Sequence, residues 1–211
     1  MSTGASKSYK TIDPATLDKR QAYALNTSLL VPRPIAWVAT LGPDGVANCA
    51  PFSFFMGVSS YPPILAFAVS LRRGELKDTV RNIDHLPEFT VNICSEAQGQ
   101  KMVRTGQDFP YGVSEFKEVG LLALASETIG PPRIGDAPVQ MECLLHERHE
   151  VKGASTTVIY GRVTRFHIAA DVLDPTTGLV DTRRLKPLGR LGGNEYCRVG
   201  EVFEIPRDDR V

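Results

Sequence analysis

Residues 72–79, with the sequence RRGELKDT, place three cations and a hydroxyl at the start of a predicted helix. A helix N-terminus presents free N–H groups and a partial positive charge, which favours a bound phosphate. Lys77 would add a cation there and Thr79 a hydroxyl donor. The alternative is a solvated basic turn in which Asp78 or Thr79 only caps the helix. The residues alone leave both interpretations open.

A second polar segment, 48–53 with the sequence NCAPFS, lies on a predicted strand. Its small residues let a planar ring approach the backbone, while Asn48 and Ser53 supply an amide and a hydroxyl for hydrogen bonds. A strand interrupted by an edge proline is the alternative interpretation. The two segments together would suit a ligand that is flat, aromatic and phosphorylated.

Signatures of other chemistries are missing from the sequence. No G-x-G-x-x-G follows a strand, and neither G-x-x-x-x-G-K-[ST] nor G-x-S-x-G occurs. The segment His146–His149 (HERH) is one residue short of H-E-x-x-H. On a strand, its two histidines would point to opposite faces, so we expect solvated strand residues and no metal site.

Length and charge limit the class of protein. A chain of 211 residues suffices for one domain with a sizeable core, and 24 basic against 24 acidic residues do not indicate nucleic-acid binding. The longest strongly apolar run, 64–71, is too short to span a bilayer, and the N-terminus lacks the apolar segment of a secretory signal. The four cysteines are scattered, which favours reduced thiols in a cytoplasmic protein without a membrane partner.

The strands that would position both polar segments follow one another closely. Residues 35–41 predict a strand, 42–45 (GPDG) a turn, and 46–56 the return strand of a hairpin. Residues 64–70, apolar on both faces, predict a central strand. Because these strands are joined by short turns, their pairing is expected to be antiparallel.

The rest of the chain predicts further strands and a few helices. Four helices are predicted, namely 13–25 opened by Asp13-Pro14, 77–85, a helix after the capping box Ser95-x-x-Gln98 up to about Thr105, and a short turn at 115–119. The predicted strands are 88–94, 126–129, 139–150, 156–168 with Gly161 as a bulge or bend, and 201–205. Many strands with inserted helices indicate a small β-barrel with helical additions.

At these residues the sequence resembles the flavin reductase-like family, the FMN-binding split barrels, from about Tyr23 to Pro206. The matching blocks, in order, are PRPIAWVAT (32–40), NCAPFSFF (48–55), YPPILAF (61–67), ELKDTVRNI (75–83), EFTVNI (88–93) and PLGRLGGNEY (187–196). The PLGRLGG tail is most similar to the longer, flavoredoxin-like branch.

The resemblance implies a mainly β fold with α additions, a six-stranded antiparallel split β-barrel over residues 23–206. Residues 1–22 would form a tail with a short helix. It also implies a homodimer with FMN near the dimer interface, and no side chain is assigned as catalytic because FMN carries the chemistry. The implied ring contacts are Trp37, Val38, Ala39, Thr40, Asn48, Cys49, Ala50 and Ser53. The implied phosphate contacts are Ser70, Lys77 and Thr79, with Arg33.

One departure from the family pattern bears on the electron donor. Short flavin reductases often carry Gly-Asp-His before a strand ending Gly-x-Val, whereas residues 152–156 read KGAST before Gly161-Arg162-Val163. The histidine that would meet a nicotinamide is absent at that place. The leading hypothesis is an FMN-dependent oxidoreductase that takes electrons from NADH or NADPH. The alternatives are a flavoredoxin-like electron carrier reduced by a protein partner, and a flavin-binding module without turnover.

Overall fold

The computed structural model describes residues 7–206, so the first six residues of the predicted tail lie outside the described part. The strands are β1 (Ala36–Leu41), β2 (Ala47–Phe52), β3 (Phe55–Ser60), β4 (Pro63–Ser70), β5 (Glu88–Ile93), β6 (Ala123–Leu124), β7 (Arg133–Ile134), β8 (Val139–Glu150), β9 (Thr156–Ile168), β10 (Leu188–Arg190) and β11 (Tyr196–Arg198). The α-helices are α1 (Lys19–Leu29), α2 (Asp78–His85), α3 (Gly99–Arg104), α4 (Glu115–Val119) and α5 (Thr182–Leu185).

Seven strands form one antiparallel sheet in the order β2-β1-β5-β8-β9-β4-β3. The predicted antiparallel hairpin at 35–56 is confirmed for β1 and β2. Its return strand is shorter than predicted, because the chain turns at Ser53–Phe54 and Phe55 begins β3, which pairs with β4. This division also gives seven strands where the resemblance implied six.

β1 is buried on both faces, and its side chains point alternately into two hydrophobic cores. Ala36 and Val38 face a core with Phe67 and Phe89, while Trp37 and Ala39 face a second core. Successive side chains of a strand point to opposite faces, so one strand serves both cores. The second core lies beneath the short helices, with Met102 of α3 and with Phe116 and Val119 of α4.

Gly161 allows a close approach inside the first core. A Cβ atom at Gly161 would lie 2.4 Å from Cζ of Phe89 and 3.3 Å from Cβ of Cys143. The predicted bulge is not at Gly161 itself. The register shifts leave His146 of β8 and Thr164 of β9 without a partner, on either side of the glycine. Gly161 therefore makes room for the Phe89 ring.

Replacing Gly161 by alanine is expected to lower the free energy of unfolding by about 1–3 kcal/mol, because the buried Phe89 ring would have to move. Chemical denaturation measures the change. Gly57→Ala on β3 is the matched control, since a Cβ there meets nothing within 4 Å. Equal stabilities for the two variants would contradict this account of Gly161.

The N-terminal helix differs from its prediction. Asp13 accepts a bond from the Ala15 N–H at 2.9 Å and starts only a 3₁₀ turn. Asp18 then forms a capping box with Gln21, so α1 begins at Lys19. The helix continues past the predicted end to Leu29. The Thr27 hydroxyl donates back to the Tyr23 carbonyl at 2.8 Å, so this polar side chain is accommodated within the helix and does not end it.

The other predicted helices are confirmed at their positions. α2 begins one residue after Lys77, the Ser95–Gln98 capping box precedes α3, and α4 spans 115–119 as predicted. The long strands β8 and β9 also have the predicted bounds.

Two short strand predictions are wrong. Residues 126–129 form a bend whose backbone N–H groups at Glu127 and Thr128 donate to the Glu142 carboxylate and to no strand partner. Residues 201–205 have no regular secondary structure, and the last strand within residues 7–206 is β11.

Two absences hold for residues 7–206. No group of three or more His, Cys, Asp or Glu side chains could hold a metal ion there, and this includes the HERH segment. In the same residues, no helix has the length and apolar character needed to cross a membrane.

Candidate functional site

The loop between β4 and α2 concentrates positive charge around a cavity of about 340 Å³. The loop is closed by paired backbone bonds between Arg72 and Glu75, at 2.8 and 2.9 Å. The cavity is lined by Arg72, Arg73, Glu75, Leu76, Lys77, Asp78, Arg81 and Tyr111. We call it the basic cavity. Four of its lining side chains are cationic and two are acidic. Arg72 and Arg73 pair with Asp108, and Arg81 pairs with Glu75, so Lys77 is the cation of this cavity that has no ion pair within residues 7–206.

Lys77 is the N-cap residue of α2, and its side chain caps none of the helix N–H groups. Burial, together with the neighbouring Arg72 guanidinium, lowers the pKa of Lys77, while Asp108 opposes this shift. The alternative of a simple capped turn, which the sequence left open, is therefore not favoured. The first N–H groups of α2 and a partly desolvated ammonium lie at one helix end, where an anion is stabilised.

The polar-small segment of β2 borders a second cavity, of about 360 Å³. It is lined by Tyr23, Ile35, Pro51, Ser53, Met102, Val103, Gly106, Arg190, Asn194 and Tyr196. We call it the β2 cavity. The Lys77 ammonium lies 5.5 Å from the ring centre of Phe52, which separates Pro51 from Ser53. The basic loop and the end of β2 are therefore neighbours in space.

Several residues that the resemblance implied as ring contacts are buried and lie behind this surface. The residues with no exposed area are Trp37, Val38, Ala39, Thr40 and Cys49, and Asn48 is 7% exposed. The Trp37 indole N–H donates to Thr105 Oγ1 at 2.9 Å. Ala50 and Ser53 are partly exposed. In this structure the buried side chains support the strand. Pro51 at the end of β2 lines the β2 cavity, and Asn48 lines a much smaller cavity of about 10 Å³.

Arg33 and Ser70 lie apart from the basic cavity. The Arg33 guanidinium donates to three backbone carbonyls, those of Thr27 at 2.7 Å, Leu30 at 2.6 Å and Leu191 at 2.9 Å. It also approaches Ser53 Oγ at 3.4 Å. Ser70 is exposed and pairs with the Thr156 hydroxyl at 3.1 Å. The geometry thus gives Arg33 the role of tying α1 and the C-terminal loop to β1.

Thr79 and Asn48 join a buried polar network that the sequence did not indicate. The Asn48 Nδ2 group donates to Glu115 Oε1 at 2.8 Å, and the Cys49 N–H donates to Glu115 Oε2 at 3.0 Å. Asn48 Oδ1 accepts longer bonds, both 3.4 Å, from the Thr40 and Thr79 hydroxyls. A carboxylate on α4 therefore holds β2 from behind.

Burial raises the pKa of Glu115 to about 7, with a smaller contribution from Asp78, while the Cys49 N–H and Arg72 lower it. The same burial, with the nearby Glu115 charge, raises the pKa of the Cys49 thiol well above its usual value. Cys49 is therefore a neutral thiol at neutral pH. Glu115 is poised to change charge there.

Three residues of the C-terminal segment line the β2 cavity and were not assigned by the sequence. Arg190 stacks over the Tyr196 ring at 4.5 Å and also bonds its hydroxyl. Its backbone pairs with that of Arg33, at 2.8 and 3.0 Å, which brings the loop carrying Asn194 beside Ser53. The matching block PLGRLGGNEY was the available signal for these residues.

Comparison with known proteins defines the class. A sequence model described as the flavin reductase like domain matches residues 28–189. The chain belongs to the flavin reductase-like family, and its mainly β fold is the split barrel of that family.

Similar solved structures cover nearly the whole chain. Nitrilotriacetate monooxygenase component B from Bacillus cereus is 33% identical with a TM-score of 0.90, over 95% of this chain and 100% of that one. A 2-nitrobenzoate 2-nitroreductase from Pseudomonas fluorescens is 32% identical with a TM-score of 0.86, over 96% and 98%. Flavoredoxin of Desulfovibrio vulgaris is 25% identical with a TM-score of 0.74, over 83% and 91%. The predicted likeness to flavoredoxins is confirmed.

Proposed function

We propose that the protein binds FMN and acts as an oxidoreductase, with NADH or NADPH as electron donor to the flavin. The observation that carries this proposal is the uncapped, basic helix start, whose Lys77 lies beside Phe52 at the end of β2. FMN needs a cationic anchor for its phosphate and a pocket of mixed polarity for its ring. The residues present fit both needs.

The chain's own residues would bind and orient the cofactor. Lys77, Arg72 and the first N–H groups of α2 would hold the phosphate, while Ser53 and the backbone of β2 would meet the ring. Bound FMN supplies the redox chemistry, so no side chain has to act as an acid or a base. The family membership and the two oxidoreductase-related structures at 32–33% identity support a redox function.

The absorbance spectrum of the purified protein mixed with FMN is the first test, followed by anaerobic addition of NADH and of NADPH. We expect a bound-flavin spectrum that bleaches with one of the two donors. A protein that takes up no FMN would refute the proposal, and bound flavin that neither donor reduces would refute the nicotinamide step.

A specific observation favours a second candidate, an electron carrier reduced by a protein partner. The turn between β8 and β9, residues 152–155, is exposed and carries no histidine, whereas short flavin reductases often have one there. The similarity to a flavoredoxin supports the same candidate. Bleaching by reduced ferredoxin, with no bleaching by NADH or NADPH, would identify this function. Bound flavin that exchanges electrons with no donor would leave a binding module.

The dimer implied by the resemblance is also part of the proposal. β3 carries the exposed apolar side chains Met56 and Val58, and Tyr61 after it is 95% exposed. Contiguous apolar side chains at a sheet edge are typical of an interaction surface. Sedimentation equilibrium is expected to report two chains per particle, and a monomer would contradict this part of the proposal.

Replacing Lys77 by alanine is expected to weaken FMN binding by roughly tenfold or more, because a partly desolvated charge-assisted contact to phosphate is lost. Fluorescence titration of the apoprotein with FMN measures the dissociation constant. Lys117→Ala is the matched control, since Lys117 is an exposed lysine on α4 that lines neither cavity. Riboflavin, which has no phosphate, should bind the Lys77 variant and the unaltered protein equally. An equal loss with riboflavin would place Lys77 outside the phosphate site.

A further inference from the structure

The hydrogen-bond network around Glu115 contains one buried acceptor that has no donor. Within residues 7–206, Asn82 Oδ1 is the only buried side-chain oxygen or nitrogen without a partner. The Asn82 Nδ2 group donates to Thr40 Oγ1 at 3.0 Å, and Thr40 in turn donates to Asn48 Oδ1. The donors in this network therefore all point toward the ionised carboxylate of Glu115.

The hydrogen bonds that lead from Asn82 through Thr40 and Asn48 to Glu115 can all reverse if the carboxyl carries a proton. A Glu115 O–H would donate to Asn48 Oδ1 after the amide turns over, and Asn48 Nδ2 would then donate to Thr40 Oγ1. The Thr40 hydroxyl would be free to donate to Asn82 Oδ1 once the Asn82 amide also turns over, because Nδ2 is the atom that now lies beside Thr40. The Cys49 N–H would still donate to the other carboxyl oxygen. The reversal therefore keeps one hydrogen bond between each successive pair of these groups, and the Thr79 hydroxyl, which now donates to Asn48 Oδ1, would instead accept from Asn48 Nδ2.

The reversed arrangement of hydrogen bonds also suits the surroundings of Asn82, at the other end of the network. Asn82 Nδ2 would then face a cavity of about 10 Å³ lined by Asp44 and Asp78. Carboxylates accept hydrogen bonds from an amide N–H group, so these side chains suit an amide nitrogen better than an amide oxygen. Both ends of the network thus accommodate a protonated Glu115.

Glu115 shares its charged neighbours with the basic cavity. Asp78 of α2 raises the pKa of Glu115, and Arg72 of the preceding loop lowers it. Both residues line the basic cavity. From β2 the neutral Cys49 thiol faces Glu115, and on α4 itself Lys117 and Glu118 are exposed. An anion in the basic cavity therefore adds negative charge to the surroundings that already act on Glu115.

We propose that Glu115 takes up a proton when a phosphate-bearing ligand enters the basic cavity, and that the Asn48 amide reverses to accept from the new carboxyl O–H. Glu115 is thus a positioning residue that couples proton uptake to anchoring of the phosphate. The inference rests on the proposed binding of FMN. The proton bound by Glu115 would be additional to those carried by Lys77 and Arg72.

Proton linkage gives the test. Because the ligand favours the protonated carboxyl, its affinity should fall as the pH rises through the range in which Glu115 ionises. A like charge brought near Glu115 is expected to change the affinity roughly tenfold between about pH 6 and pH 8. The phosphate of FMN also titrates, but it does so equally in every variant. The comparison between variants isolates the contribution of Glu115.

FMN titrations of the full-length apoprotein between pH 5.5 and 8.5 would measure this contribution. Glu115→Gln mimics the protonated carboxyl, because its Nε2 group can donate to Asn48 Oδ1 while Oε1 accepts from Cys49. We expect this variant to bind FMN at pH 8 about tenfold more tightly than the unaltered protein does. Glu118→Gln, an exposed change on the same helix, should leave the pH profile as it is.

Two further readouts do not depend on the folding of Glu115→Gln. In the unaltered protein at pH 8, FMN should produce the infrared C=O band of a protonated carboxylic acid, and riboflavin, without a phosphate, should not. Calorimetry in buffers of different ionisation enthalpy should detect proton uptake with FMN alone. The same pH profile in Glu115→Gln and in the unaltered protein, or no carboxylic acid band, would overturn the inference while FMN binding stands. Failure to bind FMN at any pH would overturn the proposed function and this inference together.

Discussion

Replacing Glu142 by alanine is expected to lower the free energy of unfolding by about 3–5 kcal/mol, because several buried donors would lose their common acceptor. The Glu142 side chain has no exposed area. Its carboxylate accepts bonds from the Glu127 and Thr128 N–H groups at 2.7 and 2.8 Å, from the Thr128 hydroxyl at 2.6 Å and from His167 Nε2 at 2.8 Å. Urea denaturation at pH 7 measures the loss.

Glu147→Ala is the matched control for this prediction, because Glu147 is an exposed glutamate on the same strand. Its change in stability should be below about 0.5 kcal/mol. The pH dependence adds a second criterion. Hydrogen bonds, led by those from Thr128, hold the pKa of Glu142 at about 2. Its contribution to stability is present above the ordinary pKa of 4.5 and is lost as the pH falls toward 2. A Glu142→Ala variant that matches the control in stability would contradict this assignment.

Glu115 is expected to make the free energy of unfolding depend on pH in the opposite sense, by about 3 kcal/mol. Its pKa is about 7 in the folded protein and 4.5 in the unfolded chain, because burial disfavours the charged form. The folded state therefore holds the proton more tightly between these values. Stability should fall as the pH rises from 4.5 to 7 and then remain level with respect to this group. Thermal or urea unfolding at half-unit pH steps measures the slope.

Glu115→Gln should flatten this slope and make the protein more stable than the unaltered chain at pH 8, since no buried charge has to form. Glu118→Gln again serves as the control and should retain the slope. If Glu115→Gln lost stability at every pH, the ionised carboxylate would be a net stabiliser of β2, and the expected sign would be wrong. This measurement uses the protein without ligand, so it does not depend on FMN binding.

The elements that sequence reasoning located well have long and regular patterns. β8 and β9 carry enough alternating and β-branched residues that their ends agree with the structure. α2 was found from its charged start and apolar face. The errors lie where two local signals compete within a few residues, as with Asp13 and Asp18, which are both able to cap a helix. Short pairs such as β6 and β7 depend on contacts that a local pattern does not contain.

The candidate site was predictable as two segments but not as a whole. The basic loop and the end of β2 were named from residue types, and the structure places them side by side. Glu115 could not be foreseen, because its partners Asn48 and Cys49 lie 67 and 66 residues away in the chain. The burial of Trp37 and Thr40 was also hidden, since it follows from the helices that pack over β1. The outward position of Ser70 depends on its pairing with β9.

The connection between β2 and β3 has a consequence for how the protein folds. These strands are joined by only two residues, Ser53 and Phe54, yet they lie at opposite ends of the strand order. The two hairpins that flank this connection can each form locally, but β4 must wait for β9, whose Thr156 meets Ser70 across 86 residues. Contacts of such sequence separation form slowly. We therefore expect the docking of the β3–β4 hairpin onto β9 to be among the last steps in forming the sheet.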